Sequence, residues 1–133
     1  MKNSRGFESA LYYTRDHEWI KYQKSVAFVG VCAFKLTGIK QIQQIEFKQS
    51  SDLKKAGEIL AIIHSAEYKI PVHMPVDGEV LGYNEELSDL PQDILLLQPE
   101  LNVWLAFIFP SAPHERNGLL SPEQYQAANR PLF

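Results

Sequence analysis

One stretch of the chain constrains the fold more than any other. Residues 57–84 read GEILAIIHSAEYKIPVHMPVDGEVLGYN. Residues 58–63 are dense in Ile, Leu and Ala and free of Pro, a pattern typical of a short buried strand. Residues 64–69 interrupt that pattern with polar side chains, and residues 70–76 resume it. The stretch therefore predicts two paired strands whose exposed tip presents one side chain to solvent.

Proline and glycine positions refine this prediction. Pro71 and Pro75 each remove a ladder donor, which favours an edge position for the second strand. Asp77-Gly78 is a pair well suited to a tight hairpin turn. We therefore expect a hairpin turn at Asp77-Gly78 that leads into a third strand ending near Asn84.

Short strand signals recur on both sides of this stretch. Asp16-His17 predicts a turn between a strand at Tyr13 and one at residues 19–22. The nearly unbroken apolar segment 26–31, VAFVGV, predicts a strand buried on both faces. Further strands are expected at residues 41–47 and 103–109. A short helix is expected at 33–39, ending near Gly38, and a loop or one helical turn at 85–92. Residues 93–98 fit either a strand or a turn of helix.

The C-terminal region changes character. Ser121 is a suitable N-cap, Pro122 suits the first helical position and Glu123 adds an acid to the first turn, so a helix is predicted to about Ala128. Many short strands, with helices confined to connections and the C-terminus, predict a mainly β fold, a small sandwich or barrel. We expect residues 1–11 to be a flexible leader, 12–129 one domain and 130–133 a tail.

Composition excludes several classes of protein. The chain has 133 residues and a formal net charge of −3, which argues against general affinity for nucleic acid or anionic membrane. Cys32 is the only cysteine, so no internal disulfide forms, and its apolar neighbours favour a buried structural thiol. The sequence shows no signal peptide and no segment long enough to span a bilayer. These observations predict a cytoplasmic protein.

No catalytic constellation is visible in the sequence. It has no Gly-rich phosphate loop, no G-x-S-x-G elbow and no Cys-x-x-Cys pair, so we predict no catalytic residue. The four histidines lack the spacing of metal ligands, and only His64 and His73 are candidates to approach each other across the hairpin. We expect no metal site, with His17 in a turn and His114 in a solvated loop.

Several motifs in order resemble the H protein of the glycine cleavage system. They are YTRDHEWIKY, VAFVGV, GEILAIIHSAEYKIPVHMPVDGEVLGYNEEL, VWLAFIFP and PEQY, which span Tyr13 to Tyr125. The most specific matches are His17-Glu18-Trp19, residues 75–84 and Trp104. The resemblance implies the lipoyl-domain fold, a flattened β-barrel sandwich whose hairpin tip carries lipoic acid on a lysine. It also implies a carrier that moves an aminomethyl group and electrons between the enzymes of the complex and is itself catalytically inert.

The resemblance breaks down at the cofactor position. Members of the family read approximately E-S-V-K-A at the tip, whereas this chain reads His64-Ser65-Ala66-Glu67-Tyr68. Glu67 thus stands at the position of the lipoyl-lysine, and Lys69 is the alternative attachment site. The acid that the family usually has four residues after the lysine is replaced by Pro71. Glu18, on the side where the family docks its arm, is retained.

Three hypotheses follow from this pattern. The first is an H-protein-like module that is not lipoylated at the usual site and acts as a non-catalytic interaction or regulatory protein. The second is a lipoyl-carrying H protein modified at Lys69. The third is an independent enzyme, for which no acid, base and nucleophile are found. The expected partners are proteins, either the glycine cleavage P, T and L proteins or a lipoate ligase, and no cofactor is expected at the usual site.

Overall fold

Nine β-strands form the fold within residues 10–49, 52–88 and 103–129, the residues that the computed structural model describes. Two short 3₁₀-helices, at Ala33–Leu36 and Glu85–Ser88, lie in connections, and one α-helix, α1, runs from Pro122 to Ala128. The mainly β class with a C-terminal helix is confirmed. The strands are β1 (Ala10–Tyr13), β2 (Glu18–Gln23), β3 (Val26–Val31), β4 (Ile42–Phe47), β5 (Leu53–Lys54), β6 (Ile59–Ser65), β7 (Lys69–His73), β8 (Gly78–Tyr83) and β9 (Ala106–Pro110).

The strands form two antiparallel sheets. One has six strands in the order β1-β2-β3-β9-β8-β5, and the other has three in the order β4-β6-β7. Buried side chains of both sheets join in one apolar cluster, for example Ile20, Val29 and Ile108 from the larger sheet and Leu60 and Val72 from the smaller. Removing this apolar area from water is the main force that holds the sheets together.

The strand pairing confirms one expectation for the central stretch and overturns another. β7 is an edge strand, as its proline content predicted. The predicted hairpin turn at Asp77-Gly78 is wrong, because β7 pairs with β6 whereas β8 pairs with β9 and β5 in the other sheet. Asp77 instead bonds two distant segments: its carboxylate accepts from the Ala56 N–H at 2.7 Å and its carbonyl from the Ser111 N–H at 2.9 Å. Tertiary hydrogen bonds therefore override the local turn preference.

Element boundaries also differ from the sequence predictions. β1 begins at Ala10, so it includes two residues that the sequence assigned to the leader. β9 begins at Ala106 rather than at residue 103, although the Leu105 N–H still donates to the Val29 carbonyl of β3 at 2.7 Å. The short helix predicted at 33–39 is a 3₁₀-helix that ends earlier, at Leu36. The segment 93–98 and the termini 1–9 and 130–133 lie outside the described residues.

Helix α1 begins where the sequence predicted. The Ser121 hydroxyl accepts from the Gln124 N–H at 3.1 Å, and the Gln124 side chain accepts from the Ser121 N–H at 2.9 Å, which forms a capping box. Tyr125 packs its ring on Tyr13 of β1, with centroids 4.3 Å apart and an interplanar angle of 9°. This contact fixes the helix against the edge of the larger sheet.

Cys32 belongs to the small apolar cluster under α1 and is fully buried at 0% exposure. The predicted burial of the thiol is confirmed. Among the described residues, none of the helices has the length and apolar character needed to cross a bilayer.

Candidate functional site

The tip of the β6–β7 hairpin is shorter than the sequence predicted. The strands reach Ser65 and Lys69, which leaves Ala66, Glu67 and Tyr68 as the turn. The Ser65 N–H donates to the Tyr68 carbonyl at 2.9 Å, and the Tyr68 N–H donates to the Ser65 hydroxyl at 3.0 Å. These two bonds close the turn, so that the exposed Glu67 lies at its apex.

Lys69 lies in the returning arm and not at the apex. Its Cα pairs with that of His64, and its side chain is exposed. Ile70 and Val72 lie on the face of β7 that is turned toward the core. Val72 is a buried core residue, and Ile70 packs against the core. Because successive side chains of a strand alternate between faces, Lys69 points to the outer face of the smaller sheet.

The apex borders a groove shared with the connection before β4. Residues 38–41 line one side of this groove and residues 65–68 the other. Gly38 has a φ of 87°, a left-handed conformation that glycine adopts without a Cβ penalty and that ends the helical turn. Tyr68 is 55% exposed beside Glu67. The apex therefore presents a carboxylate next to an exposed aromatic ring.

The arm below the apex is fixed to β4 by a polar cluster. His64 Nε2 lies 2.9 Å from Glu46 Oε1, and Lys48 Nζ lies 3.0 Å from Glu46 Oε2. The hydrogen bond from His64, followed by that from Lys48, holds the pKa of Glu46 below its ordinary value. This exposed cluster is a cross-strand interaction of modest energy.

Glu18 lies in a buried, hydrogen-bonded environment between the two sheets. It is the first residue of β2 and only 1% exposed. Its Oε2 accepts from the His73 backbone N–H at 2.8 Å and lies 3.2 Å from Lys35 Nζ, while its Oε1 accepts from the Thr14 hydroxyl at 3.1 Å. A buried carboxylate requires this kind of compensation. Glu18 thereby joins β2 of the larger sheet to β7 of the smaller one.

Three further ionisable side chains gather at Glu18. His73 Nδ1 lies 3.0 Å from Glu18 Oε2 and 2.7 Å from Asp16 Oδ2. Lys35 Nζ lies 3.3 Å from Asp16 Oδ2 and donates to the Asp16 carbonyl at 2.8 Å. We call Asp16, Glu18, Lys35 and His73 the inter-sheet cluster. Sequence reasoning missed it because its members lie in three separate segments that only the packing of the two sheets brings together.

The two histidines that the sequence considered as a pair are not brought together. His73 lies opposite Ile59 at one end of the β6–β7 ladder and His64 opposite Lys69 at the other. His64 instead contacts Glu46 on the neighbouring strand β4, and His73 contacts Glu18 on β2 of the other sheet.

His17 occupies the predicted turn between β1 and β2. Its φ of 65° is left-handed, and its Nδ1 lies 2.8 Å from the Tyr125 hydroxyl. Burial, followed by the nearby Lys35 ammonium, lowers the pKa of His17 from its ordinary value of 6.5. The turn is thus linked to both α1 and the inter-sheet cluster.

Comparison with known proteins identifies the class of fold. A crystal structure of a glycine cleavage system H protein from Mycobacterium marinum superposes with a TM-score of 0.75 at 21% sequence identity, covering 90% of this chain and 96% of that one. The fold is therefore the lipoyl-type barrel-sandwich hybrid that the sequence resemblance implied.

Sequence comparison identifies the family. The family model of the glycine cleavage H-protein matches residues 11–131. A glycine cleavage system H protein of Caulobacter vibrioides is 33% identical over 115 residues, covering 86% of this chain and 94% of that protein. The corresponding protein of Halothermothrix orenii is 35% identical over 115 residues, covering 86% and 89%. The chain belongs to the glycine cleavage H-protein family.

The apex residue does not fit the cofactor of this family. A lipoyl group attached as an amide needs an amine, and Glu67 offers a carboxylate at the apex of the hairpin. The amine nearest along the hairpin belongs to Lys69, in the strand that follows. Glu67 therefore offers no attachment point for a lipoyl amide.

Proposed function

We propose that this chain is a non-catalytic member of the H-protein family that carries no lipoyl group at the hairpin apex and acts as an interaction or regulatory protein. The observation that carries this proposal is the exposed Glu67 at the apex of the β6–β7 turn. Its carboxylate lacks the nucleophilic nitrogen that amide formation requires. The remainder of the scaffold retains the family fold, so its surfaces are available for recognition by other proteins.

Lys69 supports a second candidate function, that of a lipoyl carrier modified in the strand. Lys69 is exposed and follows the turn directly, so its amine is reachable. Two observations favour the first candidate. The backbone of Lys69 is fixed in the ladder opposite His64, and Pro71 follows on the same face of the strand. A modifying enzyme that recognises a lysine at the apex would therefore meet Lys69 at another position and in a different orientation.

Intact-mass measurement after co-expression with a lipoate ligase tests the proposal. We expect the wild-type chain at its unmodified mass, and Glu67→Lys with the added mass of a lipoyl group. The double variant Glu67→Lys, Lys69→Ala should be modified as well as the single variant, because Lys69 is given no role. A lipoyl group on Lys69 of the wild type would refute the proposal and establish the carrier function. If Glu67→Lys also remains unmodified, other departures from the family pattern, such as Pro71, must also prevent the ligase from acting.

We also propose that the partners are proteins of the glycine cleavage system or a lipoate ligase, met in the cytoplasm. Surface plasmon resonance with the wild-type chain immobilised and the purified P, T and L proteins and ligase as analytes measures this directly. Saturable binding of at least one of them is expected. A matched surface carrying Glu67→Lys shows whether the apex contributes to the contact. Absence of binding to all four proteins would contradict this choice of partners.

A further inference from the structure

The inter-sheet cluster has a donor set that suits a metal ion, and it does not involve the hairpin apex. One ligand atom each of Asp16, Glu18 and His73 lies within 4.8 Å of the other two. We propose that these three residues form a binding site for a divalent transition-metal ion, with Zn²⁺ as the probe. The site differs from a cluster of surface acids, because it includes an imidazole and because the Glu18 carboxylate is 1% exposed.

The spacing of the ligand atoms suits such an ion. His73 Nδ1 is 2.7 Å from Asp16 Oδ2 and 3.0 Å from Glu18 Oε2. At an ion ~2.1 Å from each atom, these separations subtend roughly 80–90°, as in a site that binds the ion on one face. One imidazole nitrogen and two carboxylate oxygens favour Zn²⁺ or a similar first-row ion over Mg²⁺ and Ca²⁺, which prefer oxygen ligands alone.

Neighbouring groups already orient the ligands. The Thr14 hydroxyl donates to Glu18 Oε1 at 3.1 Å, and the His73 backbone N–H donates to Glu18 Oε2 at 2.8 Å. Such outer hydrogen bonds fix the position of a ligating carboxylate. The Asp16 side chain is 58% exposed and therefore free to adjust to an ion. A cleft of about 470 Å³ opens on the three ligands and admits water to the remaining coordination positions.

Lys35 sets the affinity of the site through competition. Its Nζ lies 3.2 Å from Glu18 Oε2 and 3.3 Å from Asp16 Oδ2, so the ammonium partly neutralises both carboxylates. Two carboxylates against one ammonium still leave one net negative charge when His73 is neutral. A divalent ion compensates that charge, and the lysine side chain, although only 9% exposed, must then move aside. Removing the ammonium must therefore strengthen metal binding.

Isothermal titration of the chelator-treated full chain with Zn²⁺ tests the site. We expect one saturable site, weakened at least about tenfold by His73→Gln and by Asp16→Asn, since even outer-shell changes cost that much. The matched control is His64→Gln, which removes an imidazole 2.9 Å from the single carboxylate of Glu46 and should leave the affinity unchanged. Lys35→Met should raise the affinity, whereas Lys48→Met, at the control cluster, should not.

Two further readouts separate metal binding from a folding defect. Co²⁺ should give visible absorption bands with the wild type that are lost in His73→Gln. Zn²⁺ should raise the thermal midpoint of the wild type and not that of Asp16→Asn, whose substitution lies in an exposed turn and keeps the fold testable. Absence of saturable binding up to about 1 mM Zn²⁺ overturns the proposal. So does an affinity that falls as much in His64→Gln as in His73→Gln.

Discussion

Gly78 and Gly82 lie in the same strand but face different surroundings, which makes them a matched pair for substitution. A Cβ at Gly78 would lie 2.7 Å from the Phe109 carbonyl oxygen and 2.9 Å from the Pro110 Cα. Both obstacles are backbone atoms, and β8 is held between β9 and β5, so relief requires the strands to move apart. A Cβ at Gly82 would meet nothing within 4 Å.

The two substitutions should therefore have opposite effects on stability. Gly78→Ala should lower the free energy of unfolding by about 3 kcal/mol, the upper part of the usual range for overpacking, because no side-chain rotation relieves the clash. Gly82→Ala should be neutral or stabilise by up to ~1 kcal/mol, since alanine restricts the unfolded chain. The difference is a large fraction of the stability of a typical domain and is measurable.

Urea denaturation followed by tryptophan fluorescence measures both variants. Unchanged m-values with a lower midpoint for Gly78→Ala would assign the effect to stability. Equal stabilities of the two variants would refute the reasoning, because they would show that the β8–β9 approach at Gly78 is not close. A loss confined to Gly82→Ala would refute it equally.

Three further expectations concern single side chains. The pKa of His17 is lowered in the folded state, so as the pH falls the unfolded chain takes up a proton at His17 before the folded chain does. His17 therefore contributes to the free energy of unfolding above its ordinary pKa of 6.5, and this contribution is lost as the pH falls through the lower folded pKa. His17→Asn, which tolerates the left-handed turn, should therefore reduce the pH dependence of the urea midpoint between about pH 7.5 and 5.5, and equal slopes would contradict this. Cys32 should react slowly with a thiol reagent in the native state and rapidly in urea, and fast native labelling would argue against its burial. Ser121→Ala should lower the free energy of unfolding by about 1 kcal/mol through loss of the capping box, measured by urea denaturation against Ser111→Ala, an exposed serine outside the helix, as control. A stability unchanged from the wild type would show that the cap is not needed.

The sequence by itself determined those features whose cause is local. Ser121 and Pro122 specify the start of α1, because cap and first-turn preferences act within one turn of chain. The apolar segments specify the longer strands of both sheets, because the pattern of apolar residues is a property of each segment, but no such pattern predicted the two-residue strand β5. Pro71 of β7 favours the edge position of that strand, because a missing N–H is a property of the residue. The motifs in order also sufficed to indicate the family.

The tertiary structure decided which segments meet. The preference of Asp77-Gly78 for a tight turn is real but weak, and it yields to pairing of β8 with β9 and β5 and to hydrogen bonds that Asp77 makes with Ala56 and Ser111. Gly78 has no positive φ and is required for a close approach between strands, which no local pattern reveals. The inter-sheet cluster likewise exists only because the packed sheets bring its four ionisable side chains together. The buried carboxylate of Glu18 needs hydrogen-bonding partners from both sheets, and the spacing of residues along the chain does not predict which residues these are.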